Sequence, residues 1–117
     1  MNKMPRIEIV KSLVLNIKKK FSKAEANKII DLIQSLDNNP RKGKILSSLG
    51  GIVIKELKYR NFRFYFIADG FKLKCMGEDE LVDILLRFIR MSDKNRQQQT
   101  INEIKHILQT IGPKGFK

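Results

Sequence analysis

The sequence predicts an α+β domain, an antiparallel twisted sheet with a helical hairpin before it and a helix after it, packed on one face. Three observations carry this. Ser22 to Asn38 repeats apolar residues at helical spacing. Ile52 to Arg90 contains runs that alternate or stay apolar over strand lengths, broken by turn signals. Thr100 to Ile111 returns to helical spacing before Gly112 and Pro113. Helical and strand elements are segregated along the chain, as α+β domains require. At 117 residues the chain is expected to form a single domain, 1–117.

Each element has a local reason. Arg6 to Lys11 alternates apolar and charged residues, which suits a short strand. Ser12 suits the cap of a short helix with Leu13, Ile17 and Phe21 on one side. Lys18, Lys19 and Lys20 then fall near its C-terminus, where the helix dipole favours cations. Ser22 and Glu25 fit a capping box, and Ala26, Ile29, Ile30, Ile33 and Leu36 form one stripe. Asp37 to Pro40 stops this helix, Pro40 to Lys44 is a basic turn, and Gly50-Gly51 is a second break.

Strands are expected at Ile52–Lys58, Phe62–Ala68, Phe71–Met76 and Val82–Arg90. Tyr59-Arg60-Asn61 turns between the first two, and Asp69-Gly70 signals a tight hairpin. Gly77 to Glu80 is an acidic turn. In the last strand Val82, Ile84, Leu86 and Phe88 share one face, and Asp83, Leu85, Arg87 and Ile89 the other. In the last helix Ile101, Ile104, Leu108 and Ile111 are in phase.

Lys plus Arg number 24 against 12 for Asp plus Glu, a formal net charge of +12. Such an excess implies a partner with dense negative charge, nucleic acid first, then an acidic protein, then an anionic membrane. The most informative stretch runs from Lys55 to Phe66. As a strand it turns Phe62, Phe64 and Phe66 to a core and Arg63 and Tyr65 to the other face, with Lys55, Lys58 and Arg60 just before. Lys55, Lys58 and Arg60 equally suit the solvation of an edge strand, and Tyr65 equally suits packing.

Other chemistries lack their residues. A single cysteine, Cys75, excludes an intramolecular disulfide and a cysteine-ligated cluster. With one histidine, His106, between apolar positions of a helix, no zinc site or Cys-His pair is expected. Glu78, Asp79 and Glu80 suit a solvated hairpin tip better than a divalent-ion site. Gly50-Gly51 lacks the Lys-Ser/Thr of a phosphate loop. No cofactor is expected. No apolar run reaches the roughly 18 residues of a membrane span, and the first five residues lack a signal-peptide core. A cytoplasmic protein without a membrane partner is therefore expected.

The order of elements and several motifs resemble the RelE/ParE toxin superfamily, nearest to its HigB, or phage-derived toxin-like, branch. The motifs are Lys55-Glu56-Leu57-Lys58, Phe62-Arg63-Phe64-Tyr65-Phe66, Asp69-Gly70, and the run Phe88 to Lys94 leading into the last helix. They follow an early helical hairpin that ends at a basic turn, and the resemblance covers about Ser22 to Ile111. It departs at Phe71 to Glu80, read as an extra strand and turn, and in the short tail, which lacks the C-terminal catalytic tyrosine of some members.

The resemblance implies a RelE-like microbial ribonuclease fold and a toxin of a toxin–antitoxin pair. The implied activity is metal-independent cleavage of ribosome-bound mRNA by attack of a ribose 2′-hydroxyl on the next phosphate. The implied partners are a cognate antitoxin, the ribosome and mRNA. Carried over by position, Arg63 holds the phosphate, Lys55 and Lys58 supply a base or a second cation, and Arg90 and Lys94 form a basic pair. Tyr65 stacks on a base or donates a proton. Arg60, Arg87, Lys42 and Lys44 complete the RNA-binding set. A ParE-like inhibitor of DNA gyrase and a non-catalytic RNA- or ribosome-binding domain remain open alternatives.

Overall fold

A computed structural model describes residues 5–75 and 83–117. It is α+β with one five-stranded sheet in the order β1-β5-β4-β3-β2, where β1 is Arg6–Ile9, β2 Lys44–Leu49, β3 Ile52–Tyr59, β4 Phe62–Asp69 and β5 Leu85–Asp93. The helices are α1 Lys11–Lys20, α2 Lys23–Gln34, α3 Gly70–Cys75 and α4 Gln97–Thr110. The expected acidic turn, with Met76 and Val82 beside it, lies outside the described residues.

The sheet is mixed, not wholly antiparallel, because β1 pairs with β5 in parallel, Ile7 opposite Leu86 and Ile9 opposite Phe88. Alternation reveals a strand but not its neighbour or direction, and this pairing joins opposite ends of the chain. The other pairs are antiparallel. A bulge where Tyr65 faces Arg90 but Phe66 faces Phe88 leaves Ile89 as the extra residue, which breaks the expected two-face alternation of β5.

Register assigns the faces. Lys55, Leu57 and Tyr59 stand opposite Phe66, Phe64 and Phe62, so these six share one face. Glu56 and Lys58 stand opposite Tyr65 and Arg63 and share the other. On the phenylalanine face Phe21, just after α1, meets Phe62 edge-on at 4.9 Å, and Tyr59 Oη donates to Glu25 of α2 at 3.4 Å. Helix α4 lies on the opposite face, where Glu103 accepts from Arg90 Nε at 3.0 Å. The helices therefore cover both faces and not one. That is why β4 is buried at every residue from Arg63 to Ala68.

Leu13, Ile17, Ile29, Ile33 and Leu36 are fully buried with Phe64, Phe66 and Phe88. Those two phenylalanines of β4 are core, as the alternation implies. Ser22 caps α2 by accepting from Glu25 N at 3.2 Å, as its motif predicts. Helix α1 instead starts after Val10 with no side-chain cap, and Ser12 lies within it. Helix α4 begins at Gln97, earlier than the apolar phase suggests, because Asp93 accepts from Asn95 N and Arg96 N and starts a 3-10 turn, Lys94–Arg96.

Two further expectations fail. Strand β2 replaces part of the basic turn and the segment up to Gly50-Gly51. Those glycines, with φ of 57° and 81°, form the tight turn that sets Leu49 opposite Ile52. Asp69-Gly70 is no hairpin, and Phe71–Cys75 is not a strand. Asp69 Oδ1 accepts from Lys72 N at 3.0 Å and opens α3, leaving Phe71 76% exposed.

Gly43 leads into β2 with φ of 104°. A Cβ there meets Glu56 O at 2.9 Å and the Phe66 ring at 3.1 Å. Gly43→Ala is expected to cost at least about 1 kcal/mol, since Ala is strained at positive φ and the close neighbour is backbone. Chemical denaturation of both proteins checks this.

Candidate nucleic-acid interface

Strand alternation and register gather one group of charges. Glu56 and Lys58, two residues apart on β3, project to the same face, and Lys58 stands opposite Arg63. Lys44 stands opposite Glu56 and brings Lys42 and Gly43 to the same edge. Gln97, at the start of α4, closes the side. Together they line a cleft of about 490 Å³. Four cations, Lys42, Lys44, Lys58 and Arg63, surround one carboxylate, Glu56.

Arg63 is the fixed element, with its side chain 8% exposed. Its Nη1 donates to Phe62 O at 3.1 Å and Arg60 O at 3.3 Å. Its Nε stands 3.9 Å from Glu56 Oε1, an ion pair but not a close hydrogen bond. Glu56 Oε2 is buried with no hydrogen-bond partner among the described residues. An unsatisfied buried acceptor costs about 1–3 kcal/mol, so a site that keeps one calls for a reason.

The other candidates are placed elsewhere. Lys55 is 2% exposed and lies on the phenylalanine face, away from Arg63. Its Nζ donates to Arg41 O at 3.3 Å and Lys42 O at 3.2 Å and sits 5.5 Å from the Phe66 ring centre. It holds the loop that delivers Lys42, and burial pushes its pKa down. Tyr65 shares Arg63's face but is fully buried, with its hydroxyl 2.7 Å from Ser92 Oγ. It has no surface to offer a base, and burial, foremost, pushes its pKa up.

Arg90 pairs with Glu103 and lies 5.1 Å from the Phe116 ring centre. Arg87 pairs with Glu8 and donates to Pro113 O and Phe116 O, so it ties down the C-terminal segment and does not line the Arg63 cleft. Arg60 is exposed at the hairpin tip with φ of 53° and pairs with Glu25 at 2.9 Å. Lys94 is exposed in the 3-10 turn before α4 and does not line the cleft. Arg63, Lys58, Lys42 and Lys44 are thus brought together. Lys55, Tyr65, Arg87, Arg90, Arg60 and Lys94 are not.

Glu56 and Gln97 were not among the sequence candidates. Glu56 was legible from its two-residue spacing to Lys58. Gln97 was not, because only the path of α4 brings it across the sheet. Among the described residues no three metal-binding side chains cluster, and no helix is long and apolar enough to cross a membrane. Comparisons of the chain with protein-family models, with curated proteins and with solved structures find no match.

Tyr65→Phe is expected to lower stability by about 1–2 kcal/mol, through the Ser92 hydroxyl left unpaired. Tyr65 stabilises the fold fully below its ordinary pKa of 10.0, and this is lost as pH rises toward its higher folded value. The variant therefore loses that part of the alkaline sensitivity. Lys55 behaves oppositely. Its folded pKa lies below the ordinary 10.5, so the unfolded chain holds the proton more tightly. Wild type is expected to gain stability relative to Lys55→Met as pH rises toward that value. Urea denaturation across alkaline pH measures both trends.

Proposed function

We propose that this chain is a RelE-like toxin of the HigB-like branch, which binds single-stranded RNA in the Arg63 cleft and cleaves it without a metal. The supporting observation is the buried Arg63–Glu56 pair set among Lys42, Lys44 and Lys58. The sequence resemblance points the same way. In this reading the cytoplasm is the site of action, ribosome-bound mRNA the substrate, and an antitoxin that covers the cleft the inhibitor.

The chemistry assigns each group a part. Glu56 accepts the proton of a ribose 2′-hydroxyl, whose oxygen bonds to the adjacent phosphorus. Arg63 and the lysines carry the charge that grows on the non-bridging oxygens. The bond to the 5′-oxygen breaks, and Lys58 donates the proton that this oxygen takes up. The products are a 2′,3′-cyclic phosphate and a 5′-hydroxyl. This version drops Lys55, Tyr65, Arg90 and Lys94 from catalysis and adds Glu56.

The burial of Tyr65 and Lys55 favours one second reading, a cleft that binds RNA without cutting it. Gyrase inhibition has less support. Helices α1 and α2 are short, 10 and 12 residues, and the exposed surface they offer is rich in lysine, Lys18, Lys19, Lys20, Lys23 and Lys28, with Leu15 the large apolar residue exposed on them.

Induced expression is expected to arrest growth and to yield mRNA fragments ending in 2′,3′-cyclic phosphate. Glu56→Gln is expected to slow cleavage about 10²–10⁴-fold, the range for a lost general base, while keeping RNA affinity. Lys58→Ala, at an exposed position, weakens both binding and cleavage. Tight RNA binding by the wild type with no cleavage on or off the ribosome establishes the second reading. Cleavage unaffected by either substitution would falsify the assignment of the site.

A further inference from the structure

A second cleft, of about 560 Å³, opens on the other side of the same end of the sheet. Its floor is apolar, formed by the half-buried Phe62 and Met91. Its rim carries Lys19 and Lys20 from the end of α1 and Arg96 from the turn before α4, all exposed and without ion-pair partners among the described residues. Lys20 Nζ lies 5.7 Å from the Phe62 ring centre. The one acid on the wall, Asp93, accepts from Asn95 N and Arg96 N and so is engaged in the backbone. Asn16 adds an amide that can donate and accept.

An aromatic floor with a ring of cations matches a nucleotide, whose base takes the floor and whose phosphate takes the rim. The volume lies within the ordinary range for small-molecule sites. The relation between the two clefts decides what that nucleotide is. Phe62 lines this cleft and Arg63 lines the other, and Arg96 lines this one and Gln97 the other. At two points the clefts are therefore separated by a single residue step of the chain. Lys94 is exposed in the turn between Asp93 and Arg96, both of which line this cleft.

We infer that this cleft is a second RNA subsite, which holds a nucleotide several positions along the strand from the phosphate bound at Arg63, as that strand passes over the Lys94–Arg96 turn. The inference rests on the RNA reading of the Arg63 cleft and adds to it a minimum substrate length.

Fluorescence anisotropy with oligouridylates of 3 and 10 nucleotides tests it on the full chain. The triple variant Lys19→Ala, Lys20→Ala, Arg96→Ala is expected to bind the 3-mer like wild type and the 10-mer about tenfold more weakly. Its salt dependence for the 10-mer is expected to fall by about 0.7 in log–log slope, the share of the one phosphate held at the rim. A control with Lys11→Ala, Lys28→Ala and Lys114→Ala removes equal charge elsewhere and is expected to have a smaller effect. Lys58→Ala is expected to weaken both lengths. Equal weakening by the triple variant and its control, or no weakening by the triple variant, overturns the subsite while dependence on Lys58 preserves the Arg63 cleft. Loss of 10-mer affinity in the triple variant but not in Lys58→Ala removes the Arg63 assignment and, with it, the pairing of two subsites on one strand. Absence of RNA binding by the wild type overturns both.

Discussion

The rest of the structure depends on the burial of β4 from both sides. Flanked by β3 and β5 and covered by helices on each face, this strand puts Arg63 and Tyr65 where water does not reach freely. A polar group in that position must find partners or lose about 1–3 kcal/mol. Tyr65 finds Ser92. Arg63 finds two backbone carbonyls and, at a distance, Glu56. One constraint thus separates two residues that share a face into a structural tyrosine and a cleft arginine.

The Arg63–Glu56 spacing is informative in its own right. Close charge-assisted pairs settle at roughly 2.7–2.9 Å. At 3.9 Å, with the other carboxylate oxygen unpartnered, this pair bears the cost of desolvation without its full electrostatic return. Groups held apart in this way are poised to take a third partner. The surrounding lysines lie on flexible stems at the surface and contribute attraction and screening more than geometry.

Cations away from the cleft divide by the partner that the fold supplies. Arg87 and Arg90 fasten the C-terminal segment and α4 to the sheet, through Glu8, Glu103 and main-chain oxygens. Lys55 fastens the loop before β2 from the other face. That loop also presses Gly43 against Phe66, so the placement of Lys42 and Lys44 is set by the core and not by the cleft itself. The high net charge is therefore partly internal fastening. The share facing solvent around Arg63, and around Phe62 behind it, is what a polyanion can meet.

Periodicity and capping were enough to place α2, α4, β3 and β4 and to assign Phe64 and Phe66 to the core, because those signals act over a few residues. The Ser22 cap and the helical stripe of α2 are of this kind. The mixed sheet, α3 and β2 were not read, because a local pattern carries no information on partner strands. Asp69-Gly70 suits a hairpin and a helix start equally well. Only the tertiary structure decided that Lys55 faces the core side, that Tyr65 is sealed beneath α4's side of the sheet, and that Glu56 joins Arg63. Residue types and spacing determine which side chains can share a face. Which face is then left open depends on how distant segments pack across it, and that is settled by the burial of the whole chain at once.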